Sequence, residues 1–126
     1  MPPPLPTDAE LAILRVLWTD GSSTVREVLD RLDTDQGYTT VLKHLQIMLD
    51  KGLVTRDESG RAHVYASAVE EADTQRHLVR DLLDRAFGGS ARQLVMRALS
   101  TEDVTEDELD DIRDLLDQAN TTDDDA

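Results

Sequence analysis

YTTVLKHLQIMLDKGLVTRDESGRAHVYA, residues 38–66, divides into two parts with different periods. From Thr39 to Lys51 the apolar residues Val41, Leu42, Leu45, Met48 and Leu49 recur at spacings of three and four, the period of a helix with one buried stripe. Gly52 follows and ends the helix, because glycine tolerates the left-handed C-terminal turn. LVTR and RAHVYA are then two short β-rich runs, with Asp57, Glu58, Ser59 and Gly60 as the turn between them. A helix with a polar outer face followed by a basic hairpin has the shape of a winged helix-turn-helix, in which the helix enters the DNA major groove and the hairpin reaches the flanking backbone.

Upstream of this unit two further helices are expected. Thr7 or Asp8 can cap the first, with Glu10 in its opening turn, and ELAILRVLW places Leu11, Leu14 and Trp18 on one face, widened by Ile13 and Leu17. On that face Trp18 reads as a core anchor. Asp20-Gly21 breaks the helix. Ser23 or Thr24 starts the second helix, and Thr24 with Glu27 has the spacing of a capping box. Val25, Val28, Leu29 and Leu32 form its buried side and Arg26 points away from it. The start of this helix could hold a DNA phosphate on its free N–H groups; Thr24 serving only as a cap is an equally good reading. The link DTDQG, residues 33–37, is short enough to set two helices at a steep angle.

Charge distribution points to the same unit. The chain of 126 residues has a net charge of −14, which taken whole argues against a nucleic-acid binder. Residues 1–67 carry only −3 of it and residues 68–126 carry −11. Residues 36–66 hold Lys43, Lys51, Arg56 and Arg61 against Asp50, Asp57 and Glu58, so the locally positive region coincides with the helix and hairpin. Candidate base-reading side chains are Thr39, Thr40, Lys43 and His44, in the first turn and a half of the third helix. Arg61 and His63, on alternate positions of the second hairpin strand, are the candidate backbone contacts, joined by Thr24 and Arg26 at the second helix. The acidic surface would suit a high-salt cytoplasm and weakens non-specific DNA affinity.

Residues 67–126 read as all-helical. Three amphipathic stripes are expected, carried by Leu78, Leu82, Leu83 and Phe87, by Leu94 and Val95, and by Leu109, Ile112 and Leu116. Gly88-Gly89 separates the first two, Ser90 caps the second, and Thr105 with Glu108 opens the third. Three narrow stripes bury little by themselves, so pairing with a second copy is implied. Domain bounds are therefore expected at 1–67 for the winged helix, 68–120 for helical dimerisation, and 121–126 for a disordered acidic tail. The fold class is mainly α with a small β-hairpin.

Several function classes find no support. The chain has no cysteine, hence no disulfide or thiolate metal site, which fits a reducing cytoplasm. It has no glycine-rich phosphate loop and no paired-histidine zinc motif, so no enzyme activity, metal or cofactor is expected. His77 and Asp81, four apart, read as a surface pair. No apolar run approaches the roughly 18 residues needed to span a bilayer, and MPPPLP lacks the pattern of a secretory signal.

Taken together, the stretches ELAILRVLW, TVREVLDRL, YTTVLKHLQIMLDKGLV with RAHVY, RDLLDRAFGGSARQLV and TEDELDDIRDLL resemble the penicillinase-repressor (BlaI/MecI/CopY) family of transcriptional regulators, over roughly residues 7–118. The resemblance implies an N-terminal winged helix joined to a helical dimerisation domain, and a homodimer that represses from a palindromic double-stranded DNA operator. It also implies base reading by Thr39, Thr40, Lys43 and His44, and wing contacts by Arg61 and His63. In the antibiotic-responsive branch a membrane-bound zinc-protease sensor triggers cleavage of the repressor, and the corresponding bond would fall near Arg97-Ala98. Ile47 stands where members often carry a basic residue, and the cysteines of the copper-responsive branch are absent. The rival reading, of another class, is a helical adaptor whose winged helix binds protein; the net charge is its support.

Overall fold

A computed structural model describes residues 3–101 and 103–124. The first helix, α1 (Asp8–Asp20), starts at a Thr7 cap in which Thr7 Oγ1 accepts from the Glu10 N–H and Glu10 Oε1 accepts from the Thr7 N–H. The same reciprocal cap, formed by Thr24 and Glu27, opens α2 (Val25–Arg31). The third helix, α3 (Tyr38–Lys51), ends at Gly52, whose φ of 81° and ψ of 16° lie in the left-handed region. There the Leu53 N–H donates to the Met48 carbonyl at 2.9 Å and turns the chain into the hairpin.

The hairpin strands are β2 (Val54–Asp57) and β3 (Val64–Ser67). A two-residue strand, β1 (Ser23–Thr24), completes a three-stranded antiparallel sheet in the order β1-β3-β2. Tyr65 is opposite Ser23 on one side and Arg56 on the other. Sequence reading missed β1, because a strand of two residues has no alternation to detect and Ser23-Thr24 also reads as a helix start. It also began the second hairpin strand too early. Arg61, Ala62 and His63 precede β3 and lie in the connecting loop, so the expected alternation of Arg61 and His63 on a strand face does not occur.

Ile13, Leu14 and Leu17 of α1, Val25 and Val28 of α2, and Val41, Leu45 and Met48 of α3 close a core with Leu53, Val54 and Tyr65. The buried face of α1 is thus centred on Ile13, Leu14 and Leu17, with Leu11 and Trp18 at its margin. Trp18 is an anchor of a particular kind. It packs on the core, and its indole N–H reaches the Ser67 hydroxyl at 3.0 Å and the Val69 carbonyl at 3.1 Å.

The chain forms two compact units, residues 1–79 and residues 80–126. The first continues past the expected bound at 67, because the following segment is bonded to the winged helix. The Ala68 N–H donates to the Leu53 carbonyl, Val69 receives Trp18, and Thr74 is buried. Thr74 belongs to α4 (Glu71–Ala86), which runs through the division. Two more helices follow, α5 (Ala91–Leu99) and α6 (Glu106–Asp124). Ser90 caps α5 through the Gln93 N–H, and Thr105 accepts from the Glu108 N–H at the start of α6. Because α6 continues to Asp124, helix occupies most of the stretch expected to be a disordered tail; residues 125 and 126 of that tail lie outside the described residues. Of the residues proposed for pairing, Leu78, Leu83, Phe87, Leu94, Leu109 and Ile112 are half-buried within one chain, while Leu82, Val95 and Leu116 are exposed.

Candidate nucleic-acid interface

The sequence candidates fall into two groups in space. Thr24, Arg26, Arg61 and His63 come together with Tyr38, Gln46, Arg56 and Tyr65 around a groove of about 400 Å³. It lies where the starts of α2 and α3 face the hairpin loop. Thr39, Thr40, Lys43 and His44 do not line it. Thr39, Thr40 and Lys43 are instead exposed on α3, as a helix laid against a nucleic-acid surface requires. His44 is half-buried, and its Nε2 is enclosed without a hydrogen-bond partner, so at most its other nitrogen is available to a base.

Ion pairing sorts the basic residues of the first unit. Arg31 is paired with Asp20 and Glu27, Lys51 with Glu10, Arg56 with Glu58, and Arg76 with Asp73. Among the described residues, Arg15, Arg26, Lys43 and Arg61 are exposed and have no carboxylate partner. Of these, Arg26 and Arg61 lie on the groove and Lys43 on α3, while Arg15 lies on α1, although the chain as a whole is strongly acidic. Tyr65 holds the pKa of Arg56 above its ordinary value, against the opposing effect of burial, and Glu58 adds to this.

Thr24 is accounted for locally. Its hydroxyl and N–H are both engaged with Glu27, and the bonds from Thr24 hold the Glu27 carboxyl below its ordinary pKa. With its hydroxyl and N–H both occupied by Glu27, capping is the role the geometry supports for Thr24.

Two features of the site escaped the sequence reading. The guanidinium of Arg26 lies over the Tyr38 ring, 5.2 Å from its centre. Gln46, three residues beyond Lys43, extends the polar face of α3 into the groove. The helical period that marked Lys43 could have identified Gln46. Only the fold brings Arg26 to Tyr38.

A third concerns Lys51, counted as part of the basic patch. Its ammonium sits 2.9 Å from both carboxylate oxygens of Glu10, whose side chain is almost wholly buried. Burial pushes the Glu10 carboxyl up, but the Thr7 backbone N–H and Lys51 together outweigh it and hold the carboxyl below its ordinary value. Lys51 therefore ties α3 to α1 and contributes little to the outer field.

Residues 6–118 match the family profile described as penicillinase repressor. The chain belongs to that family. Its members are transcriptional repressors and not enzymes, and the fold here is the winged helix-turn-helix with appended helices expected of one. Among the relatives, the transcriptional regulator BlaI of Mycobacterium tuberculosis is 34% identical over 109 residues, covering 84% of this chain and 78% of its own. The penicillinase repressor of Bacillus licheniformis is 24% identical over 114 residues, 89% of each chain. Among solved structures, the DNA-binding domain of the repressor BlaI aligns with a TM-score of 0.51 and 28% identity, over 57% of this chain and 90% of that one. Monomeric Bacillus licheniformis BlaI, in complex with the blaP half-operator, aligns over the same shares with a TM-score of 0.50 and 28% identity.

Proposed function

We propose that this repressor binds a two-fold symmetric double-stranded operator as a homodimer, each copy laying α3 in the major groove. The observation that carries the reading is the clustering of three unpaired cations. Of the first unit's four exposed cations without a carboxylate partner among the described residues, three, Arg26, Lys43 and Arg61, lie on the side that, in the winged-helix fold, faces nucleic acid; the fourth is Arg15 of α1. Lys43, Thr39 and Thr40 read base edges, with the remaining nitrogen of His44 beside them. Arg61, His63 and Arg26 hold phosphates along the groove. The second copy is recruited by the apolar residues of α4 to α6 that one chain leaves uncovered, Leu82, Val95 and Leu116 the most exposed of the set expected from the sequence. Such a regulator works in the cytoplasm, where its operator is.

Relief of repression by a membrane-bound zinc-protease sensor belongs to the same reading, with the bond near Arg97-Ala98 as target. Both residues are exposed, in the last turn of α5. The Ser100 and Thr101 hydroxyls donate to the Arg97 and Ala98 carbonyls at 2.8 and 3.0 Å. Cleavage there requires this turn to unwind first.

The test is selection of bound duplexes from a random-sequence pool at near-physiological salt. Recovery of a two-fold symmetric motif supports the dimeric operator reader. An unsymmetric half-site would keep the winged helix and remove the dimer. Failure to enrich any sequence, even at low salt, would return the weight to an adaptor that binds protein.

A further inference from the structure

We propose that Tyr38 is a positioning residue for operator binding, acting through Arg26: its ring holds the guanidinium at the groove between α2, α3 and the wing, ready for a backbone phosphate. The inference rests on the DNA reading above and names a residue that reading does not use. Tyr38 is the first residue of α3 and stays 42% exposed, an unusual place for one of only two tyrosines in a chain with a closed aliphatic core. Its counterpart, Tyr65, is buried in the central strand. Packing therefore does not explain Tyr38.

The contact with Arg26 does. A guanidinium within about 6 Å of an aromatic centroid is attracted by the negative face of the ring. At 5.2 Å, Arg26 meets that condition. Arg26 is exposed and has no carboxylate partner among the described residues; its chain neighbour Glu27 pairs with Arg31 instead. The ring thus restrains the guanidinium without neutralising it, as an anion-binding arginine needs. A carboxylate would restrain it equally well and cancel its charge. Groove geometry supplies the destination, since Arg26, Arg61 and His63 all line it. A free arginine loses rotamer freedom when it grips a phosphate; one already held over a ring loses less. Tyr38 also links two elements that must move together on DNA, because its ring belongs to the base-reading helix and Arg26 to the helix before it.

The experiment uses the full-length protein and a duplex recovered by the selection described above. Affinities are measured across salt concentrations for Tyr38→Leu, Tyr38→Phe, Arg26→Ala and the Tyr38→Leu/Arg26→Ala pair, with thermal unfolding of each as the control. Tyr38→Leu is expected to weaken binding about threefold per half-site, hence about tenfold for two half-sites, alike for all sequences. Tyr38→Phe keeps the ring face and should bind as the wild type does. In the Arg26→Ala background, Tyr38→Leu should have no further effect. Additive losses would overturn the proposal, since Tyr38 would then act on DNA independently of Arg26. Equal losses in the leucine and phenylalanine variants would overturn it too, by assigning the effect to the hydroxyl. If the wild type selects no duplex, the DNA reading fails and this proposal with it, an outcome distinct from a wild type that binds and a Tyr38→Leu variant that binds equally well.

Discussion

The two compact units solve the problem of burial in opposite ways. Residues 1–79 contain every fully buried apolar side chain among the described residues, from Ile13 to Tyr65. From residue 80 to residue 120 no described residue is buried, although α4, α5 and α6 carry leucines at helical spacing, and Leu115 and Leu116 are 63% and 59% exposed. The lesson is that periodicity establishes a helix but does not say what covers it. The first unit supplies its own cover. The second has stripes too narrow and too few to close on themselves, which is what supports the proposed pairing with a second copy.

The contrast can be broken most sharply in the first core. Leu45→Ala removes a fully buried side chain at the centre of α3 and should cost about 3–4 kcal/mol in chemical denaturation. A loss below about 1 kcal/mol would mean that the winged helix does not rest on this core. Next comes the buried ion pair. Lys51→Met strands the Glu10 carboxylate, and a loss of about 3 kcal/mol is expected, the low end for a buried pair because Lys51 itself reaches solvent. The pH dependence follows from the depressed Glu10 pKa. Its stabilisation is fully present above the ordinary carboxylate value of 4.5 and disappears as the pH falls through the lower folded value. In Lys51→Met this acid-side loss should shrink, which unfolding curves between neutral and acid pH would reveal.

For the second unit the readout is association. Leu82→Glu with Leu116→Glu changes two exposed positions, so the first unit should keep its unfolding midpoint. Sedimentation should show a monomer, with operator affinity falling roughly 100-fold as the two half-sites are bound separately. An unchanged dimer would show that other residues form the contact. The smallest effect is expected on the reading face. Lys43→Ala should leave both units folded and cost about 1–2 kcal/mol of discrimination at one base position. Wild-type selectivity in that variant would remove Lys43 from the interface.

What the sequence revealed depended on how local the cause was. Thr24 with Glu27, Gly52 after a thirteen-residue stripe, and Ser90 before α5 mark boundaries through neighbours three or four residues away, and the helices stand where those signals put them. The resemblance supplied the order of the parts. The missed features depend on distant partners. Glu10 is buried because Lys51, 41 residues on, neutralises it. The two residues of β1 are a strand only because β3 lies beside them. Lys51 looked like part of a DNA-facing patch because charge counting sees sign and not pairing. The reach of the wing was misjudged for a related reason: strand propensity in RAHVYA is strong, but pairing with β2 begins only at Val64. The candidate site was legible by residue type and only half legible by position, since one chain stretch named Lys43 while the groove needed three.

Trp18 gives the molecule a built-in optical reporter. It is the chain's single tryptophan, and its indole nitrogen is bonded to Ser67 and Val69, where the sheet hands over to α4. Any rearrangement of that junction, whether on operator capture or on its release, must alter the polarity around this one ring. Its emission can therefore be followed in real time with no label attached.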